Sequence, residues 1–128
     1  MEDFSAVNWL AVVVGTFVSF FVGWFWYSPK CFGKKWAEGS GISSEPPEKM
    51  PAFAMSAQFV SLFILASVVG ITATVNALIT AILSILAVAA FTVSGGAWAN
   101  KSSYAMRVDF FYVVVAGVVM IAAQGILK

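Results

Sequence analysis

The sequence predicts an all-α fold: a four-transmembrane-helix bundle with a short interfacial amphipathic helix after the first span. Three observations carry that expectation. Four apolar runs of about twenty residues follow one another, each long enough to cross a ~30 Å hydrocarbon core as helix at ~1.5 Å per residue. Of the 128 residues, 61% are hydrophobic and 10% charged, with a mean hydropathy of +0.93, whereas a soluble domain carries about a quarter charged residues. The charges are confined to the ends and two connectors, and the runs lack the polar face that recurs every ~3.6 residues on a soluble helix. A single integral membrane domain over residues 1–128 is expected.

Met1 to Ala6 reads as a short acidic arm. The first predicted helix spans about residues 7–27, with Asn8 and Trp9 at its outer boundary. Gly15, Ser19 and Gly23 recur every four residues on it, and Phe17, Phe20, Phe21 and Phe25 lie largely off that stripe. Small residues at this spacing let another helix backbone approach closely, so the stripe reads as a helix-packing seam. A secretory signal peptide is not expected, because Glu2 and Asp3 precede the run and WFWYSPK follows it in place of a small-residue cleavage site.

The chain is organised around Trp24 to Trp36 (WFWYSPKCFGKKW), where the first apolar run meets a basic segment. Pro29 ends the helix, since the residue before a proline disfavours the α region. Ser28 is then placed to cap a new short helix with Pro29 at its first position. Phe32 and Trp36 share one face of that helix, with Lys30, Lys34 and Lys35 elsewhere, the pattern of a helix lying among headgroups. The connector is expected over residues 28–51, where Gly39, Gly41, Ser43 and Ser44 favour loop and Pro46-Pro47 favours extended backbone.

The second predicted helix covers about residues 52–72, after Pro51. Ala57 with Ser61, and Ala66 with Gly70, give further small pairs at i and i+4. An uncharged turn near 72–76 joins it to the third predicted helix, about 77–98, as a tight antiparallel hairpin. The fourth predicted helix covers about 107–127 and carries Asp109 in its first turn. The ends of the first and third predicted helices echo each other faintly in their Phe, Ser and Trp spacing.

Orientation follows from lysine and arginine in short loops. One side holds Lys30, Lys34, Lys35, Lys49, Lys101 and Arg107, and the other only Lys128. Six against one puts both termini on the non-cytoplasmic side of what is expected to be a bacterial inner membrane. Trp24, Trp26, Trp36 and Trp98 then fall at the cytoplasmic boundary with Tyr27, where aromatic anchors belong.

Few residues carry chemistry. There is no histidine, which removes the commonest metal and haem ligand and the usual base near neutral pH. One cysteine, Cys31, rules out an intrachain disulfide. No phosphate-cradling glycine loop, no metal-spaced carboxylate pair and no serine with a nearby base is present, so neither an enzyme nor a bound cofactor or metal is expected. Net charge +1 suggests no nucleic-acid partner. The Asn100-Lys101-Ser102 sequon falls on the expected cytoplasmic side. Asp109 is the one ionisable group within a span, and such groups are usually functional. Tyr112 lies one turn away. A carboxylate in a first helical turn also meets the helix dipole and unpaired amides, with Lys101 and Arg107 as partners, and that structural reading is preferred to a ligand or proton site. Gln58 and Gln124 can hydrogen-bond across helices for about 0.6 to 2 kcal/mol.

The blocks Asn8-Trp9-Leu10-Ala11-Val12, Trp26-Tyr27-Ser28-Pro29 and Phe32-Gly33-Lys34-x-Trp36, with Asp109-x-x-Tyr112 and Gly125-Ile126-Leu127, resemble domain-of-unknown-function family 1761, small bacterial four-helix membrane proteins. The resemblance covers nearly the whole chain. It implies a membrane and a fold, and no function. Many members carry histidine after that tyrosine; this chain has Val113, so no histidine-dependent activity carries over.

The residues are thus expected to serve a non-catalytic membrane protein acting through helix packing, an accessory subunit of a larger complex or a homo-oligomer, with membrane lipids around it. A small homo-oligomeric transporter or channel is the alternative. Lipid recognition by Lys30, Lys34, Lys35 and Trp36 is a third reading.

Overall fold

The computed structural model describes residues 4–42 and 51–128. Glu2, Asp3, Ser43, Ser44, Pro46, Pro47 and Lys49 lie outside the described residues. Within them a 3-10 turn, Phe4–Ala6, precedes α1 (Trp9–Trp26), α2 (Gly33–Ser40), α3 (Ala52–Thr74), α4 (Leu78–Trp98) and α5 (Ser103–Ile126), and there is no strand. The helices α1, α3, α4 and α5 are each long and apolar enough to cross a membrane.

Asn8 starts α1 and does two jobs. Its side-chain oxygen accepts from the Ala11 amide at 3.1 Å, the N-cap bond that satisfies one orphan donor. Its amide nitrogen donates to the Leu127 carbonyl at 2.8 Å, which ties the end of α5 to the start of α1.

The short helix begins later than Ser28 and Pro29 suggested. Ser28 turns its hydroxyl back to the Phe25 carbonyl, 2.7 Å away, and so does not cap forward. The Phe32 amide reaches the Trp26 carbonyl and the Gly33 amide the Ser28 carbonyl, closing a compact turn before α2 starts. A Cβ at Gly33 would run into the Tyr27 carbonyl, so the turn admits only glycine there.

Three helices stop in one way. Gly41, Asn76 and Asn100 follow α2, α3 and α4 with φ of 75°, 54° and 59°. Glycine, and asparagine next, tolerate this left-handed region and end helices with a paired-back amide. The amides of Ile42, Ala77 and Lys101 return to the carbonyls of Ala37, Thr72 and Gly96. After Asn100 the chain turns straight into α5, capped by the Ser102 hydroxyl on the Ala105 amide at 3.1 Å. The fourth span therefore starts four residues before 107. The Ser102 amide also donates to the Gly39 carbonyl at 2.8 Å, fastening α2 to the head of α5.

α1 packs between α3 and α5, and α4 packs mainly on α5. The core joins Val12, Leu65, Ala66, Ile85, Ala116 and Met120. α3 and α4 leave a short turn, but each packs more on another helix than on its partner, and a cleft lies between them from Gln58 to Leu65 and from Val88 to Gly96. The close hairpin suggested by the turn is not formed along its length.

Candidate functional site

Asp109 sits six residues beyond Ser103, the first residue of α5, and not in the first turn of the helix. The helix N-terminus therefore does not account for it. Three side chains do. The Tyr27 hydroxyl donates to its Oδ1 at 2.6 Å, and the Trp36 indole N–H donates to the same oxygen at 2.9 Å. Lys101 Nζ lies 2.9 Å from Oδ2 as an ion pair. A buried carboxylate is tolerable only when paired and hydrogen-bonded, and Asp109, 9% exposed, is both.

Each donor comes from a different segment. Tyr27 stands at the end of α1, Trp36 in α2, and Lys101 where Asn100 turns the chain out of α4. Burial first, and the neighbouring Asp109 carboxylate next, raise the Tyr27 hydroxyl well above the ordinary tyrosine range. It therefore remains a donor. The rings of Tyr27 and Trp36 meet edge to face at 4.8 Å, and Lys101 Nζ is 5.1 Å from the centroid of a Trp36 ring.

One turn along α5, the Tyr112 hydroxyl donates to the Ser19 carbonyl at 2.8 Å and accepts from Gln58 Nε2 at 3.3 Å. Gly23 makes room for this: a Cβ there would be 2.6 Å from the Tyr112 hydroxyl. Gly15 faces Met120 and Ala123, and Ser19 donates to the Ala116 carbonyl at 3.4 Å, so the small stripe of α1 lies on α5. On α3, Ala66 is buried and Gly70 abuts Val12, whereas Ala57 and Ser61 are exposed, Ser61 at the edge of the cleft beside α4.

The aromatic residues near the basic end divide. Trp24 and Trp98 are exposed. Trp26 turns inward and donates to the Val108 carbonyl at 3.1 Å, as Trp36 does to Asp109. Lys30, Lys34 and Lys35 are exposed, with Lys35 Nζ 5.0 Å from the Tyr104 ring centroid. Arg107 folds back on the Ser103 carbonyl and does not reach Asp109. Gln124 is at the opposite end from Gln58, in a 260 Å³ depression with Asn76 and Lys128.

Sequence reasoning singled out Asp109 and Tyr112. It assigned Tyr27 and Trp36 to the membrane boundary and missed them as donors to Asp109. The spacing of 82 and 73 residues leaves no local signal for either pair.

Beside the network lies a cleft of about 520 Å³. Tyr27, Gln58, Lys101, Asp109 and Tyr112 form its polar end, and Leu62, Leu65, Val88 and Val113 contribute to its apolar walls. This arrangement can hold an elongated molecule with one polar head.

A family model described as "Protein of unknown function (DUF1761)" matches residues 10–125. Neither the curated proteins nor the solved structures gave a match.

Proposed function

Since the chain belongs to the DUF1761 family, whose description names no function, we propose that it is a non-catalytic integral inner-membrane protein that assembles through a helix face with a second copy or with other membrane subunits. In this reading the four long helices form a membrane bundle and α2 lies at the cytoplasmic interface among lipid headgroups. Both termini are then on the non-cytoplasmic side.

The observation that carries the proposal is the outer face of α4. One side of α4, with Ala81, Ile85, Ala89 and Gly96, is buried. The opposite side presents Leu83, Ala87, Ala90 and Ser94, all exposed. Small residues gain little from lipid tails but let a second helix approach within close packing distance.

The test is native mass spectrometry after mild detergent extraction, with Ala90→Phe as the perturbing variant. A complex or symmetric oligomer that dissociates in the variant is expected. A monomer in both proteins refutes the assembly. The cleft favours a second reading, a small homo-oligomeric carrier. Substrate-dependent flux into liposomes that disappears in Asp109→Asn supports it, and no flux from an intact oligomer counts against it.

A further inference from the structure

The polar end of the cleft is already a cation site, and its occupant is the protein's own lysine. Lys101 Nζ is 2.9 Å from Asp109 Oδ2 and 5.1 Å from a Trp36 ring centroid. The Tyr27 ring lies against Trp36 at 4.8 Å and against Tyr112 at 5.5 Å. A carboxylate flanked by aromatic faces is the chemistry that selects an ammonium group over a neutral or anionic one.

Two features make the occupant replaceable. Lys101 hangs from the connector by a flexible four-carbon stem, and its side chain is 23% exposed against 12% for Asp109. The other carboxylate oxygen is held by Tyr27 and Trp36, whose hydrogen bonds go to Oδ1 and not to the oxygen that Lys101 pairs with. Departure of the lysine thus leaves the carboxylate oriented, with one oxygen open to a new donor. Beside Asp109 the cleft continues between Leu62, Leu65, Val88 and Val113, about 520 Å³ in all. That volume falls within the ~300–1,000 Å³ of small-molecule sites, and a single ammonium head does not fill it.

We infer that the cleft between α3, α4 and α5 binds a lipophilic organic ammonium, whose head displaces Lys101 from Asp109 and whose apolar tail lies between α3 and α4. Lys101 is a tethered competitor: one ammonium replaces another, and no bond is made or broken. The inference does not depend on how the outer face of α4 is covered.

The test uses the full chain in nanodiscs of zwitterionic phosphatidylcholine. The probe is 4-phenylbutylammonium, with 4-phenylbutanol as the uncharged match, and binding is read by tryptophan fluorescence and calorimetry. The ammonium is expected to bind and the alcohol not. Removing an internal competitor raises the competent fraction, so Lys101→Met is expected to tighten binding roughly tenfold. Asp109→Asn should abolish binding. Val88→Trp, which fills the apolar wall and leaves the carboxylate network intact, should abolish it too, and this variant decides the matter if Asp109→Asn does not fold. Equal binding of the alcohol, or a Lys101→Met protein that binds the ammonium no tighter than the parent, overturns the inference.

Discussion

Asp109 accepts three side-chain donors, and each has a different share in keeping the charge inside the protein. Truncating the acceptor orphans all of them at once. Asp109→Ala is expected to destabilise by about 3–5 kcal/mol, the cost of breaking a buried pair from one side, read as unfolding in a graded denaturing detergent. Tyr27→Phe removes one donor of three and should cost less, about 1–3 kcal/mol. A Tyr27→Phe protein as damaged as Asp109→Ala would mean that the carboxylate relies on the phenol alone. The importance of Asp109 was legible from the sequence, because it is the one ionisable residue inside an apolar run. Of its surroundings Lys101 was legible too, and Tyr27 and Trp36 were not. Asp109 lies beyond the first turn because Ser102, and not a residue near 106, caps the helix.

The helices themselves were legible because composition alone determines them: about twenty apolar residues have no other stable state in a bilayer. Their ends depend on single residues. Asn100 at φ 59° is one of them. Asn100→Val should destabilise by about 1–2 kcal/mol, since a side chain branched at Cβ is strained in the left-handed region, and Asn100→Gly should not. Thermal unfolding followed by circular dichroism distinguishes them. Contacts between helices can be checked at the glycines. A Cβ at Gly117 would be 2.5 Å from Ile85, and one at Gly125 would meet nothing within 4 Å. Gly117→Ala is expected to cost about 1–3 kcal/mol by overpacking, with Gly125→Ala near neutral in the same melt. The stripe pattern could single out Gly15 and Gly23, whose neighbours recur every four residues. Gly117 has no such partner in α5, so its contact with α4 was not legible.

At the scale of the molecule, the separation of α3 and α4 had no signal in the sequence. A short uncharged turn implies a close pair, yet each helix has more to gain from its other neighbour: α3 on α1, and α4 on α5. The cleft follows from that division. So does the site, because its apolar walls and the carboxylate come from α3, α4 and α5, and two of the carboxylate's donors from the end of α1 and from α2. The network around Asp109 also has a consequence for biogenesis. The carboxylate lies 82 residues after Tyr27 and 73 after Trp36, so two of its three donors leave the ribosome well before it, and Lys101 only 8 residues ahead. On insertion scales an aspartate costs about 2.5–3.5 kcal/mol at the centre of a span, and Asp109, seventh in the 24 residues of α5, meets only part of that. In this order of synthesis α5 is expected to enter beside Tyr27 and Trp36 already in place. A chain lacking Tyr27 or Trp36 is then expected to show its defect first as slower insertion of α5.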